Sequence, residues 1–180
     1  MTRPDFIETY TGRRFRPLAP DPAQIDIRDI AHALSQQCRF SGHTRAPYSV
    51  AQHSVLVAHE VERQGGSREE QLWGLLHDAS EAYLVDIPSP LKCTPAFAAY
   101  REAEEIMMVA ICNRFNLPLD EPDIVRAADV TLLGREARDL MPFRPEHWGG
   151  LPPVAGKRII PWGPFSAKDQ FLFAYEELST

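Results

Sequence analysis

The order of apolar and polar positions divides most of the chain into helices, whose starts are marked by Ser, Thr or Asp followed three residues later by an acid or amide. Asp26 with Asp29 opens a predicted helix to about Gln37, Ser49 with Gln52 one to about Arg63, and Ser67 with Glu70 one to about Val85. In the second of these, Val50, Val57 and Val61 recur at helical spacing and draw an inward stripe that also contains His53. Thr94 before Pro95 reads as an N-cap with proline at the first helical position, and Ile106, Val109, Ala110 and Phe115 carry that helix to about Asn116. Pro122 starts another, ending near Met141, and Ser166 with Asp169 starts a C-terminal helix over residues 166–178. The predicted class is all-α, with a small hairpin over residues 6–17, FIETYTGRRFRP, around a Thr-Gly pair.

The 16 prolines fall mainly between these helices, where a missing backbone donor does least harm. One domain is expected over residues 1–180, with a helical core at about 26–141, a proline-rich excursion at 142–165 and the C-terminal helix. The excursion is long for a loop, which suits a binding segment or a contact between subunits. Apolar residues make up 44% and charged residues 24%, ordinary globular values that exclude a disordered or fibrous chain. The longest apolar run, Ile106 to Cys112, is far too short to span a bilayer, and the N-terminus has no apolar signal core, so a cytoplasmic protein without a membrane partner is expected. With 19 Lys and Arg against 25 Asp and Glu, the net charge of −6 argues against a nucleic-acid polymer as partner. Cys38, Cys93 and Cys112 are odd in number and widely spaced, which suggests neither a disulfide framework nor a zinc CxxC site.

Charge at apolar positions is where chemistry enters. Asp129 has Val125, Leu132 and Leu133 as helical neighbours, and read alone it points first to a salt bridge with an arginine such as Arg126. His53, read alone, is a hydrogen-bonded core histidine. The adjacent His77 and Asp78 follow Leu75 and Leu76, and Glu81 lies three and four residues further on along the same expected helix. Three ionisable groups at one buried turn are better explained by a metal with an activated water than by packing. His53, His77, Asp78 and Asp129 make a mixed nitrogen and oxygen set for a divalent ion such as zinc, manganese, cobalt, iron or magnesium. Glu81 is then free for proton transfer. Asp86 reaches the same cleft or is a solvated loop residue. His43, Arg45 and Lys92, all on connecting segments, are solvated or meet a phosphate.

A single His, an adjacent His-Asp pair and a distant Asp in this order resemble the signature of the HD-domain phosphohydrolases. The segments VAQHSVLVA, LLHDASEAYLVDIPSPLK and RAADVTLL look like those of bacterial 5'-deoxynucleotidases and of small phage relatives that remove triphosphate from deoxynucleotides. The likeness covers roughly residues 26–141. It implies that His53, His77, Asp78 and Asp129 bind the metal, that Glu81 is the catalytic acid or base, and that Asp86 is the second acid, which positions the sugar or the water. It further implies that Arg39 contacts the phosphate and that Phe40, where those deoxynucleotidases carry tryptophan, forms a different wall for the sugar or base. Relatives of this kind are oligomeric, so a homodimer or larger assembly is expected.

Competing motifs fail by spelling. HEVER at His59 lacks the second histidine of HExxH, GGSRE at Gly65 lacks the last glycine of GxSxG, and GxxxxGK is absent. The expected activity is therefore metal-dependent hydrolysis of a deoxynucleoside monophosphate to deoxynucleoside and phosphate. The alternatives are a deoxynucleoside triphosphate hydrolase releasing triphosphate or pyrophosphate, hydrolysis of a guanosine polyphosphate, and a non-catalytic HD module that binds a nucleotide.

Overall fold

The computed structural model describes residues 5–142, 150–151 and 155–180. Its helices are α1 (Ile27–Gln36), α2 (Val50–Arg63), α3 (Arg68–Leu76), α4 (Glu81–Leu84), α5 (Ser89–Lys92), α6 (Ala98–Phe115), α7 (Asp123–Leu140) and α8 (Pro164–Leu178). The N-terminal hairpin pairs β1 (Ile7–Glu8) antiparallel with β2 (Arg14–Phe15), Ile7 opposite Phe15. The protein is all-α apart from this hairpin, as its hydrophobic periodicity predicts. Among the described residues no helix is long and apolar enough to cross a membrane.

Helix α2 is the central element, packed against α1, α3, α7 and α8. Its Val50, Ala51, Val57 and Val61 are fully buried, and they join Leu34 of α1, Leu75 and Leu76 of α3, Leu132 of α7 and Phe171 of α8 in one core. Each such Val, Leu or Phe side chain withdrawn from water contributes roughly 1.5–3 kcal/mol. At the α2–α3 crossing a Cβ on Gly74 would lie 3.2 Å from Val61 Cγ2 and 3.5 Å from Ala58 Cα, so glycine permits the close approach.

Where local capping and tertiary contacts compete, the tertiary contacts win. Ser67 and Glu70 close the expected reciprocal box at the start of α3. At α1, Asp26 caps through Arg28 N–H, but Asp29 turns away and accepts from Thr11 N–H at 2.7 Å and Thr11 Oγ1 at 3.0 Å, tying the hairpin to the helix. At α2, Ser49 accepts from Gln52 N–H, whereas the Gln52 amide donates to Ile160 C=O and accepts from Trp162 N–H. That clamp returns the proline-rich stretch to the core, where Ile159 is buried and its N–H donates to Asp139. Of the predicted excursion, residues 143–149 and 152–154 lie outside the described residues. The C-terminal helix starts at Pro164, two residues earlier than its Ser-Asp signal, because proline at the first helical position presets φ.

The largest departure is α3, which ends at Leu76 instead of running on to Val85. His77 Nδ1 takes Gly74 C=O at 2.8 Å, and the chain tightens through Ala79 N–H to Leu76 C=O and Glu81 N–H to Asp78 C=O. These three-residue closures satisfy the terminal carbonyls. His77, Asp78 and Glu81 therefore sit around a tight turn and not on one face of a continuous helix.

Asp26 both caps α1 and pairs with Arg13 and Arg28 at 3.0 and 2.7 Å, and these bonds outweigh its burial to hold its carboxyl down at about 2. Its contribution is full above the unfolded value of 3.8 and is lost as pH falls from there towards 2. Asp26→Ala is expected to destabilise the fold by about 1–2 kcal/mol at neutral pH, and urea titrations should show that difference vanishing as pH falls through this window.

Candidate metal centre

Four elements bring the predicted groups together: α2 supplies His53, the turn after α3 supplies His77 and Asp78, α7 supplies Asp129, and the segment after α1 supplies Arg39. His53 Nε2 lies 3.2 Å from His77 Nε2, 3.1 Å from Asp129 Oδ1 and 3.6 Å from Asp78 Oδ2, and His77 Nε2 lies 3.3 Å from Asp78 Oδ2. His53, His77 and Asp129 form a group able to hold a metal ion. Asp129 does not pair with Arg126, which turns outward to Glu121 and Asp123.

The other ring nitrogens explain why the Nε2 atoms face one another. His53 Nδ1 is 2.7 Å from Glu136 Oε1 and His77 Nδ1 is 2.8 Å from Gly74 C=O. Both partners only accept, so both Nδ1 atoms carry a proton, and in its neutral form each ring aims its Nε2 lone pair at the same point. Two lone pairs at this separation repel unless positive charge lies between them. Burial opposes a charged His77, yet Asp78 and Asp129 overcome it and push its pKa up to about 9. Burial and Arg39 lower His53, while Glu136 and Asp129 raise it further. Burial works against ionised Asp129 as well, but His53 and His77 bring it down to about 2, and His77 with Arg39 holds Asp78 far below the usual carboxylate range.

Glu136, with no exposed side-chain surface, is the residue the sequence pattern did not single out. It also accepts from Tyr48 Oη at 2.7 Å and pairs with Arg39 at 3.4 Å, while Arg39 donates to Asp78 at 3.2 Å. Burial would raise Glu136, but Arg39 and His53 keep it ionised. Among the described residues Glu136, Asp78 and Asp129 thus face the Arg39 guanidinium, and with both imidazoles neutral the two negative charges left over would match one divalent cation. A signal was available: Glu136 is seven residues after Asp129, two turns along the same helix face.

Glu81 lies beside this group in different surroundings. Its side chain is buried, and among the described residues its Oε2 has no hydrogen-bond partner. Burial, then the Asp78 and Asp86 carboxylates, push its pKa up to about 9, so it holds a proton at neutral pH. Asp86 is partly buried and raised for the same first reason. Lys92 Nζ approaches Glu81 at 4.0 Å but is engaged by Glu104 at 2.7 Å. Phe40 stands next to this cluster, its ring centroid 5.4 Å from the Arg39 guanidinium. His43 and Arg45 are exposed and do not join the group among the described residues; Arg45 instead donates to Leu140 C=O and Pro142 C=O at the end of α7.

Fold and site together define an all-α protein with a partly buried histidine and carboxylate cluster that could hold a metal ion. The chain belongs to the family of the Escherichia coli K12 uncharacterized protein YfdR, with which it is 36% identical over 177 residues, covering 97% of this chain and 96% of that protein. It is also 36% identical over 141 residues to the uncharacterized protein RCAP_rcc00048 of Rhodobacter capsulatus, covering 74% of this chain and 71% of the relative. No family model matches the chain.

Glu136→Leu should leave His53 and Arg39 buried without their shared partner and destabilise the protein by about 3–5 kcal/mol, measured by urea unfolding. A loss below about 1 kcal/mol would contradict the role given to this carboxylate.

Proposed function

We propose that the protein is an HD-type, metal-dependent phosphohydrolase whose substrate is a deoxynucleoside 5'-monophosphate. The observation that carries this reading is the pair of Nε2 atoms 3.2 Å apart, both Nδ1 protons committed elsewhere, with the Asp78 and Asp129 carboxylates beside them. His53, His77, Asp78 and Asp129 would hold the ion, and two nitrogens with two carboxylates suit zinc, manganese, cobalt or iron better than magnesium, which prefers an all-oxygen octahedron. When bound, such an ion supplies a Lewis acid and lowers the pKa of a coordinated water.

The chain's own groups account for the remaining work. Arg39, already oriented by Asp78 and Glu136, presents a guanidinium to the phosphate oxygens as water adds to phosphorus. Glu81, protonated at neutral pH, donates its proton to the departing 5' oxygen as the P–O bond breaks, and the proton given up by the attacking water returns Glu81 to its acid form. Asp86, on the loop after α4, faces the sugar. Phe40 walls the same side. Arg45 is held by Leu140 C=O and Pro142 C=O at the end of α7, so among the described residues it is not available as an extra cation for a triphosphate, which supports the smaller substrate.

Metal-loaded protein incubated with deoxynucleoside mono- and triphosphates and their ribo counterparts is expected to release phosphate from the deoxy monophosphates. Glu81→Gln should retain the metal and lose about 10²–10⁴ in kcat. Triphosphate release would assign the triphosphohydrolase activity instead. Tight nucleotide binding without turnover under any of the named metals would refute the enzymatic reading in favour of a binding module.

A further inference from the structure

Between Glu81 and Asp86 the backbone takes a conformation that a side-chain-bearing residue avoids. Val85 has φ 72° and ψ 150°, close to a region occupied essentially only by glycine. Its β-branched side chain is half exposed, so packing does little to offset the strain. Beside the backbone bond from Val85 N–H to Glu81 C=O at 2.9 Å, three side-chain hydrogen bonds surround it. Gln37 Nε2 donates to Glu81 C=O at 2.9 Å, Asp86 N–H donates to Gln37 Oε1 at 3.1 Å, and Tyr100 Oη donates to Val85 C=O at 2.5 Å.

One carboxamide therefore grips the chain on both sides of the strained residue, at the carbonyl of one acid and the amide of the other. Gln37 is itself anchored. It forms the C-cap of α1, its C=O accepts from Val50 N–H at 3.0 Å at the start of α2, and it lies two residues before Arg39. A residue that served only to cap α1 would have no use for two further bonds to a distant loop.

We propose that Gln37 is a positioning residue: with Tyr100 it holds Val85 in its strained backbone conformation and so keeps Asp86 beside Glu81 at the edge of the metal cluster. The catalytic consequence rests on the function proposed above, whereas the clamp itself rests on the hydrogen bonds. If the clamp imposes strain, removing the strain should make the clamp dispensable. Glycine at position 85 does this, since it adopts a positive φ without steric cost.

The test compares Gln37→Leu, Val85→Gly and the double variant in the full-length, metal-loaded protein. Gln37→Leu is expected to speed amide exchange at Asp86 by about tenfold or more and to lower kcat by roughly 10- to 100-fold with bound metal unchanged. Adding Val85→Gly should restore most of the lost kcat, which a merely structural glutamine would not allow. Val85→Gly alone should raise Tm by about 2–4 °C. If Gln37→Leu does not fold, Tyr100→Phe with the same glycine rescue takes its place. Unchanged exchange at Asp86, or a kcat loss that glycine fails to restore, would overturn the proposal. If the wild-type protein turns over no nucleotide, the function proposed above is what fails, and the clamp is judged on Asp86 exchange and the Tm of Val85→Gly, unchanged values of both overturning it.

Discussion

The ionised groups gathered around the buried His53–Glu136 pair at the α2–α7 contact are the constraint on which the rest of this structure depends. His53 and Glu136 are wholly withdrawn from water where those helices pack, and Asp78 and Asp129 crowd the same point with one guanidinium to oppose them. An ionised carboxylate in such a place is costly unless paired and hydrogen-bonded. Glu136 meets that requirement through two hydrogen bonds to its Oε1, from Tyr48 and His53, and an ion pair of its Oε2 with Arg39. In doing so it sets the tautomer of His53 and leaves the opposite ring nitrogen for the cluster.

The same economy explains the interruption of α3. A continuous helix through residue 85 would spend Gly74 C=O on a backbone amide; here His77 takes it, which fixes that ring and turns its Nε2 towards His53. The tight turn then buries Glu81 near Asp78 but, among the described residues, without a hydrogen-bond partner for its Oε2, a setting that favours the neutral acid. Two carboxyl groups three residues apart thereby acquire opposite protonation, Asp78 ionised by His77 and Arg39 and Glu81 protonated by burial. Such separation of neighbouring acids is the arrangement that allows one group to bind a cation and another to deliver a proton.

Much of the fold was legible because its signals are local. The stripe of Val50, Val57 and Val61 placed α2, the Thr-Gly pair placed the hairpin, and Pro122 and Asn116 bounded α7 and α6, the latter closed by a left-handed Asn116. Of the site, His53, His77, Asp78 and Asp129 stood out as charge at apolar positions, and they do meet. Glu136 did not stand out because it sits in GREARD, where its neighbours read as a solvated charged face. Gln37 was equally silent: an amide at a helix end has an ordinary capping explanation, and its partners lie 44 and 49 residues away.

By itself the sequence determined the helical class, most helix starts and the identity of the ionisable groups, since periodicity, caps and the cost of an apolar neighbourhood are properties of short segments. The tertiary structure alone decided which carboxylate orients His53, where α3 stops, that Asp29 and Gln52 leave their caps for distant partners, and that Arg45 turns away from the cluster. Each of these depends on a hydrogen bond or ion pair between residues far apart in the chain, and burial gives such a bond enough weight to override the local preference.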